Sequence, residues 1–224
     1  MKKQLLWPSL AFLTLFLCGL SATLVLAGDE SSIVGSAVKD LKTAVHSKSI
    51  SSQELQQSYG LAIIPSYWKA ALVGGWQHGV GVLMVKTGNN TWSDPVFISA
   101  SGGSLGAQVG FVSGDMIMFF KDKRDVDKIM NGKFRLSPSA TTAVKPGEKS
   151  QPNTNASQVS TYVDTSGGFI GAAAEGVEIS VEQKSNATFY GDKKATAKTI
   201  TAGTVKVPKT AQELQKTAEK LSAS

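Results

Sequence analysis

The pattern of apolar and polar positions changes period along this chain, and each change marks a boundary between elements. From Ser31 to Ser49 the apolar residues Val34, Ala37, Val38, Leu41, Ala44 and Val45 recur every three or four positions, which predicts one helix with a single apolar face. Lys39, Lys42 and His46 fall together beside that face. Ser51 and Glu54 then have the spacing of a capping box, and Gly60 follows Tyr59, so a second, shorter helix is expected between them. Leu61 to Ile64 reads as a short buried strand closed by Pro65.

Beyond Lys69 the apolar segments shorten and are separated by Gly, Asn, Asp and Ser, as in Gly79 to Val85, Val96 to Ile98 and Met116 to Phe120. These are strands, with a hairpin turn at Thr87-Gly88-Asn89-Asn90, where Gly and Asn tolerate positive φ. Asp125 to Asn131, ended by Gly132, is expected to form a two-turn helix. Residues 138–157 collect Pro, Ser, Thr, Asn and Lys and read as an exposed loop. Strands resume at Val159 to Val163, Gly168 to Ala174 and Val177 to Val181, with a last short one at Thr204 to Val207. Pro208 then opens a helix whose Ala211, Leu214, Ala218 and Leu221 share a face. Helices, many strands and a terminal helix make an α+β domain, an antiparallel β-rich sandwich or partly closed barrel.

The extreme N-terminus has a different character. Lys2 and Lys3 precede an apolar run from Leu5 through Leu17, and Val25-Leu26-Ala27 stands before Gly28-Asp29-Glu30, the layout of a signal peptide cleaved after Ala27. On this reading residues 1–27 are removed and residues 28–224 form a single domain that works in the periplasm or as a secreted protein. Two alternatives stay open. A retained anchor is one, since Leu5 to Ala27 is long enough to span a bilayer. A lipoprotein anchored through Cys18 is the other, although the bulky Leu15-Phe16-Leu17 before it fits lipidation poorly. Cys18 is the single cysteine, so the remaining domain has no disulfide, zinc-thiolate site or cysteine nucleophile.

Charge adds little specificity. After loss of Lys2 and Lys3 the chain keeps 21 basic and 17 acidic residues, a net +4 that suits anionic surfaces and is too weak and interspersed for nucleic acid. Lys121, Lys123 and Arg124 alternate with Asp122 and Asp125, whereas Lys193, Lys194 and Lys198 form a cleaner basic patch. His46 and His78 are the only histidines, without the spacing of a metal site, so no metal or cofactor is expected. A weak hydrolase built on His78 with a serine, or on Glu175 with Asp164, lacks a supporting motif.

The glycines Gly74, Gly75, Gly79, Gly81, Gly102, Gly103, Gly106, Gly110, Gly171 and Gly176 fall in or beside predicted strands. Glycine weakens a strand unless the sheet bulges or another backbone approaches there. No helical pattern follows the glycine groups, which sets aside a phosphate cradle. The run Ala62-Ile63-Ile64-Pro65, Lys69-Ala70, Gly74-Gly75 to Gly79-Val80-Gly81-Val82-Leu83, Trp92-Ser93-Asp94-Pro95 and Gly102 to Gly110 resembles the SYLF domain family, a Ysc-type actin-regulator-like domain. Tyr162, Ser166 to Gly171, Glu175-Gly176 and Asn186-Ala187-Thr188-Phe189-Tyr190-Gly191 continue the resemblance over residues 31–221. It implies a non-catalytic phospholipid-binding module, which in eukaryotes joins membranes to endocytic and actin machinery and in exported bacterial relatives is lipid-associated. Where the family carries a Gly-Pro-Gly-Arg-like stretch this chain has Ala143 to Lys149, which puts that surface in doubt.

The resulting expectation is a phospholipid or membrane-surface partner engaged through Val38, Lys39, Leu41, Lys42, Val45 and Lys69, with Trp68 and Trp76 able to favour either an interface or a core. Trp92, Pro95, Tyr190 and Gly191 are read, with the glycines, as structural. The alternative is an envelope structural or interaction module with a protein or cell-wall partner.

Overall fold

The computed structural model describes residues 30–71, 74–105, 110–136, 141–144, 159–165 and 176–223. The signal segment with Cys18, the expected strand at Gly168 to Ala174, and Gly106, Gly171 and Glu175 all lie outside the described residues.

Helices α1 (Glu30–His46) and α2 (Ser52–Gln57) lead into the long strands β1 (Gly60–Ala71) and β2 (Gly74–Gly88). Then come β3 (Thr91–Trp92), β4 (Val96–Leu105), β5 (Gly110–Phe120), α3 (Lys123–Met130), β6 (Lys133–Arg135), β7 (Thr141–Val144), β8 (Val159–Thr165) and β9 (Glu178–Val181). Helices α4 (Gln183–Tyr190), α5 (Ala197–Thr201) and α6 (Lys209–Ser222) close the chain. The strands form one curled sheet in the order β6-β9-β4-β2-β1-β5-β8-β7, with β3 paired to β2. Pairing is antiparallel except between β7 and β8. The α+β expectation of an incompletely closed barrel holds.

Each side of the sheet carries its own core because side chains alternate across strands. On the concave side Ala62, Ile64, Tyr67, Leu83, Met116, Met118 and Phe120 pack with Val126 and Ile129 of α3. On the outer side Leu61, Ile63, Val82, Met84, Ile117 and Phe119 meet Val34, Ala37, Val38 and Leu41 of α1 and Leu214 and Ala218 of α6. A smaller cluster joins Val96 to Tyr190, Ala195 and Ile200.

Three expectations are corrected, and two helices are added. Pro65 does not end β1: the register slips by a bulge between Ile64 and Tyr67, where Ser66 has φ 58°, and a bulge tolerates proline's missing N–H. Thr141–Val144, inside the expected loop at 138–157, is a strand parallel to β8, in keeping with its β-favouring threonines and valine. Thr204 to Val207 forms no strand; Val205 instead packs against the third cluster. Residues 183–201 hold α4 and α5, which no apolar periodicity announces.

The glycines explain the bulge. A Cβ on Gly81 would lie 2.1 Å from the Ile63 carbonyl oxygen and 2.6 Å from Ile64 Cα, and one on Gly79 would lie 2.6 Å from Ile64 Cγ2. The kinked backbone of β1 therefore leans directly over β2, and only glycine leaves room.

Candidate functional site

Trp92 and the α4 motif serve the scaffold. Trp92 is buried, and its indole N–H donates to Ser222 Oγ at 3.0 Å, tying the hairpin end to α6. Asn186 Oδ1 accepts from the Phe97 N–H at 2.8 Å, and the Tyr190 hydroxyl donates to the Pro95 carbonyl at 2.8 Å, so α4 is pinned to the start of β4. Burial holds the Tyr190 phenol well above its ordinary pKa, with Asp94 adding to the effect. Gly191 caps α4 at φ 65°.

The residues expected to meet lipid are not gathered on one surface. Val38 and Leu41 are buried beneath α1 against the sheet, and Val45 is half-buried at the same interface. The apolar arc of α1 thus covers the core, as amphipathic helices beside sheets ordinarily do. Lys42 is exposed and paired with Glu213 of α6 at 3.3 Å. Lys69 lies within β1, on the same face as Tyr67, and is only 6% exposed. Lys39 alone of the set is an exposed cation at the rim of a cavity.

Two connected features were not foreseen. The first is a row of side chains on the outer face at the far ends of the long strands. Ala70 of β1 pairs with Trp76 of β2 and with Phe111 of β5, and cross-strand partners share a face. Trp76 is 63% exposed and Phe111 62% exposed. Trp68, paired with His78 and Ser113 in the next row, is half-buried. Phe111 carried no sequence signal, because solitary aromatics are ordinarily core residues.

The second feature is a cavity of about 350 Å³ between the C-terminal half of α1 and the edge of β5 and β8. Lys39, Asp40, Thr43 and Ala44 line it from the helix; Asp115, Ile117, Tyr162 and Asp164 line it from the sheet. Asp115 and Asp164 are direct cross-strand partners, an arrangement that repels when both are ionised. Asp115 Oδ1 accepts the Ser66 N–H at 3.1 Å, so the bulge in β1 helps hold it. Burial, with Asp115 and then Asp164 nearby, pushes the Asp40 carboxyl up to about 7, against the opposing pull of Lys39. An open groove runs from Asp115 and Asp164 past Ser66 and Ser113 to Trp68 and Phe111.

Of the residues considered for hydrolysis, Glu175 lies outside the described residues. His78 faces Trp68 and Ser101 across the sheet, and Asp164 faces Asp115. Among the described residues no group of His, Cys, Asp and Glu has the arrangement of a metal site, and no helix is long and apolar enough to cross a membrane. Lys123, Arg124 and Lys128 pair with Asp127, Asp122 and Asp125, so that cluster is largely self-neutralised.

Comparison with known proteins gives these features a context. Residues 101–221 match the family model Ysc84, described as Las17-binding protein actin regulator. Protein YSC84 of Saccharomyces cerevisiae is 30% identical over 167 residues, covering 71% of this chain and 35% of the yeast protein. LAS seventeen-binding protein 3 of the same yeast is 30% identical over 162 residues, covering 69% and 35% respectively. SH3 domain-containing YSC84-like protein 1 of Xenopus laevis is 27% identical over 165 residues, covering 71% and 49%. No solved structure matches. The chain spans about a third of the yeast proteins and half of the frog protein, so what it shares with them is a domain. Since the family match runs from Ser101 in β4 through β5 and the strands beyond it to Leu221 in α6, this chain belongs to the Ysc84 family, the SYLF domain family that its glycine and aromatic motifs resemble.

Proposed function

We propose that this chain is an exported, non-catalytic protein that binds phospholipid surfaces through the aromatic row at the open end of its sheet. The observation that carries the reading is the exposure of Trp76 and Phe111 on either side of Ala70 on the outer face, with Trp68 in the row behind them. Large aromatic side chains left in water on both sides of one strand are unusual, and tryptophan favours the boundary between headgroups and acyl chains. The lipid contact therefore belongs to this row and not to α1, whose apolar residues are occupied by the core. The signal-like N-terminus supports work outside the cytoplasm, in the periplasm or as a secreted protein.

The test is co-sedimentation of the mature chain with vesicles of neutral phosphatidylcholine, with and without anionic phosphatidylglycerol, at low and high salt. Wild type is expected to pellet in both lipids with little salt dependence. The double variant Trp76→Ser, Phe111→Ser should lose at least about tenfold in apparent affinity, since each buried ring is worth about 1.5 kcal/mol or more. Absence of lipid-dependent pelleting in every condition overturns the proposal.

A second reading has its own support. The yeast relative LAS seventeen-binding protein 3 is named for binding another protein, and exposed tryptophan is a typical anchor of protein interfaces. Under it the same double variant would lose a partner retained from delipidated envelope extract while vesicle binding is absent in wild type.

A further inference from the structure

Three carboxyl groups meet where α1 rests on the sheet: Asp40 from the helix, Asp115 from β5 and Asp164 from β8. The carboxyls of Asp40 and Asp115 lie within hydrogen-bonding reach of each other, yet two ionised carboxylates have no hydrogen to bridge them. Asp40 Oδ2 is buried without a hydrogen-bond partner. The cavity lies at this contact, whereas Val34, Val38 and Leu41 seat the helix tightly against the sheet.

We propose that one proton shared between Asp40 and Asp115 latches the C-terminal half of α1 onto the sheet, and that its loss loosens this half-helix and widens the cavity. The other groups around Asp40 leave it little choice of partner. From α1 itself Lys39 opposes the build-up of negative charge, while His46 is bonded to the Lys42 carbonyl at 2.7 Å. From α6, Glu213 is taken up by Lys42. From β8, Tyr162 donates its hydroxyl to the buried Glu54 of α2, and Asp164 adds only repulsion. Strands β1 and β2 present Leu61, Ile63, Val82 and Met84 to the helix, and α4 presents Phe189. His78, on the same face of β2, is two strands away from Asp115 and one residue pair further along.

Asp40 titrates near pH 7 in the closed form and returns to its ordinary range of about 4 once the helix lifts and the carboxyl is hydrated. The closed form therefore binds the extra proton, and raising pH from 6 to 8 multiplies the opening constant by about ten. The device is independent of lipid binding, so its test stands apart from the preceding one.

Amide hydrogen exchange of the full chain, read by mass spectrometry at pH 6 and pH 8 with intrinsic rates corrected, measures it directly. Peptides spanning residues 38–50 should lose about tenfold in protection between the two values, while peptides from the centre of β1 and β2 stay constant. Asp40→Asn keeps a bridging N–H at every pH and should abolish the dependence at the protected level. Asp164→Asn removes repulsion without touching the bridge and should keep the dependence with its midpoint moved to lower pH. Protection at 38–50 that is flat in wild type, a pH dependence that survives Asp40→Asn, or one that vanishes in Asp164→Asn overturns the latch.

Discussion

The contact between Gly81 and the bulge of β1 offers the sharpest test of how this sheet is built. A methyl group at Gly81 would sit 2.1 Å from the Ile63 carbonyl oxygen, 2.6 Å from Ile64 Cα and 2.8 Å from Ile64 Cγ1. Two of those three atoms are backbone, so no rotamer change relieves the clash. A carbon and an oxygen need about 3.2 Å, hence the strands must part by roughly 1 Å at a point where β1 is paired on both sides. Parting them weakens ladder hydrogen bonds and opens space beside Leu83 and Tyr67 in the concave core. Overpacking of side chains typically costs 1–3 kcal/mol, and backbone displacement adds to it, so Gly81→Ala is expected to cost about 3–5 kcal/mol.

Gly103→Ala is the matched control, in the same sheet with its nearest neighbour, the Gly75 carbonyl oxygen, at 3.6 Å. That is ordinary van der Waals contact, and the expected change is within about 1 kcal/mol. Urea unfolding followed by circular dichroism compares the two, with thermal midpoints as a second readout; the Gly81 variant should melt about 10 °C or more below wild type. If Gly81→Ala lowers stability no more than Gly103→Ala, the glycine is not there to admit the bulge and the account of these strands is wrong.

Other substitutions probe other parts of the argument. Leu41→Ala should cost about 2–4 kcal/mol, because Leu41 is fully buried between α1 and the sheet, and the vesicle affinity of the folded fraction should be unchanged. Tyr190→Phe removes the donor to the Pro95 carbonyl and should cost about 1–2 kcal/mol by urea unfolding, with no change in vesicle binding. For Asp40 the folded form holds its proton up to about pH 7 and the unfolded form releases it near 4, so stability falls as pH rises through that window and is level above it. Discounted for partial solvent access, the fall should be about 1–2 kcal/mol in wild type and should disappear in Asp40→Asn, as read from urea midpoints between pH 5 and pH 8.

Periodicity was a good guide wherever a segment had one wet and one dry side. It located α1 and α6, while the centres of β2, β4, β5, β8 and β9 were legible as short apolar runs between turn residues, because the sheet carries a core on each face. It failed where local chemistry conflicts with tertiary context. Pro65 looks like a terminator, yet the bulge removes the need for its N–H. The α4 segment Gln183–Tyr190 has scarcely any apolar face, since its anchors are the buried Asn186 amide and the Tyr190 hydroxyl. Ser51 caps α2 through the Glu54 N–H at 3.3 Å as its spacing suggests. The Glu54 carboxylate, however, turns to Tyr162, a partner 108 positions away that no local pattern reveals. The same limit hid the carboxyl cluster: Asp40, Asp115 and Asp164 are unremarkable surface acids until the fold stacks their elements.

The exposure of the aromatic row follows from a mismatch of lengths. Strand β2 has 15 residues and extends about 50 Å, while α1 has 17 residues and extends about 25 Å. Helices α1 and α6 cover the rows that contain Leu61, Ile63, Val82 and Met84, and among the described residues no helix joins that cluster beyond the bulge. A sheet face left bare in this way would ordinarily become polar, and Ser101, Ser113 and His78 follow that rule in one row, with the half-buried Trp68 standing among them. The next row breaks it with Trp76, Ala70 and Phe111. The bulge bends β1 where helical cover gives way to open sheet, and Gly79 and Gly81 admit the bend. The glycine pattern and the aromatic row are thus parts of one construction, in which the same kink that shapes the barrel core projects an apolar edge away from it.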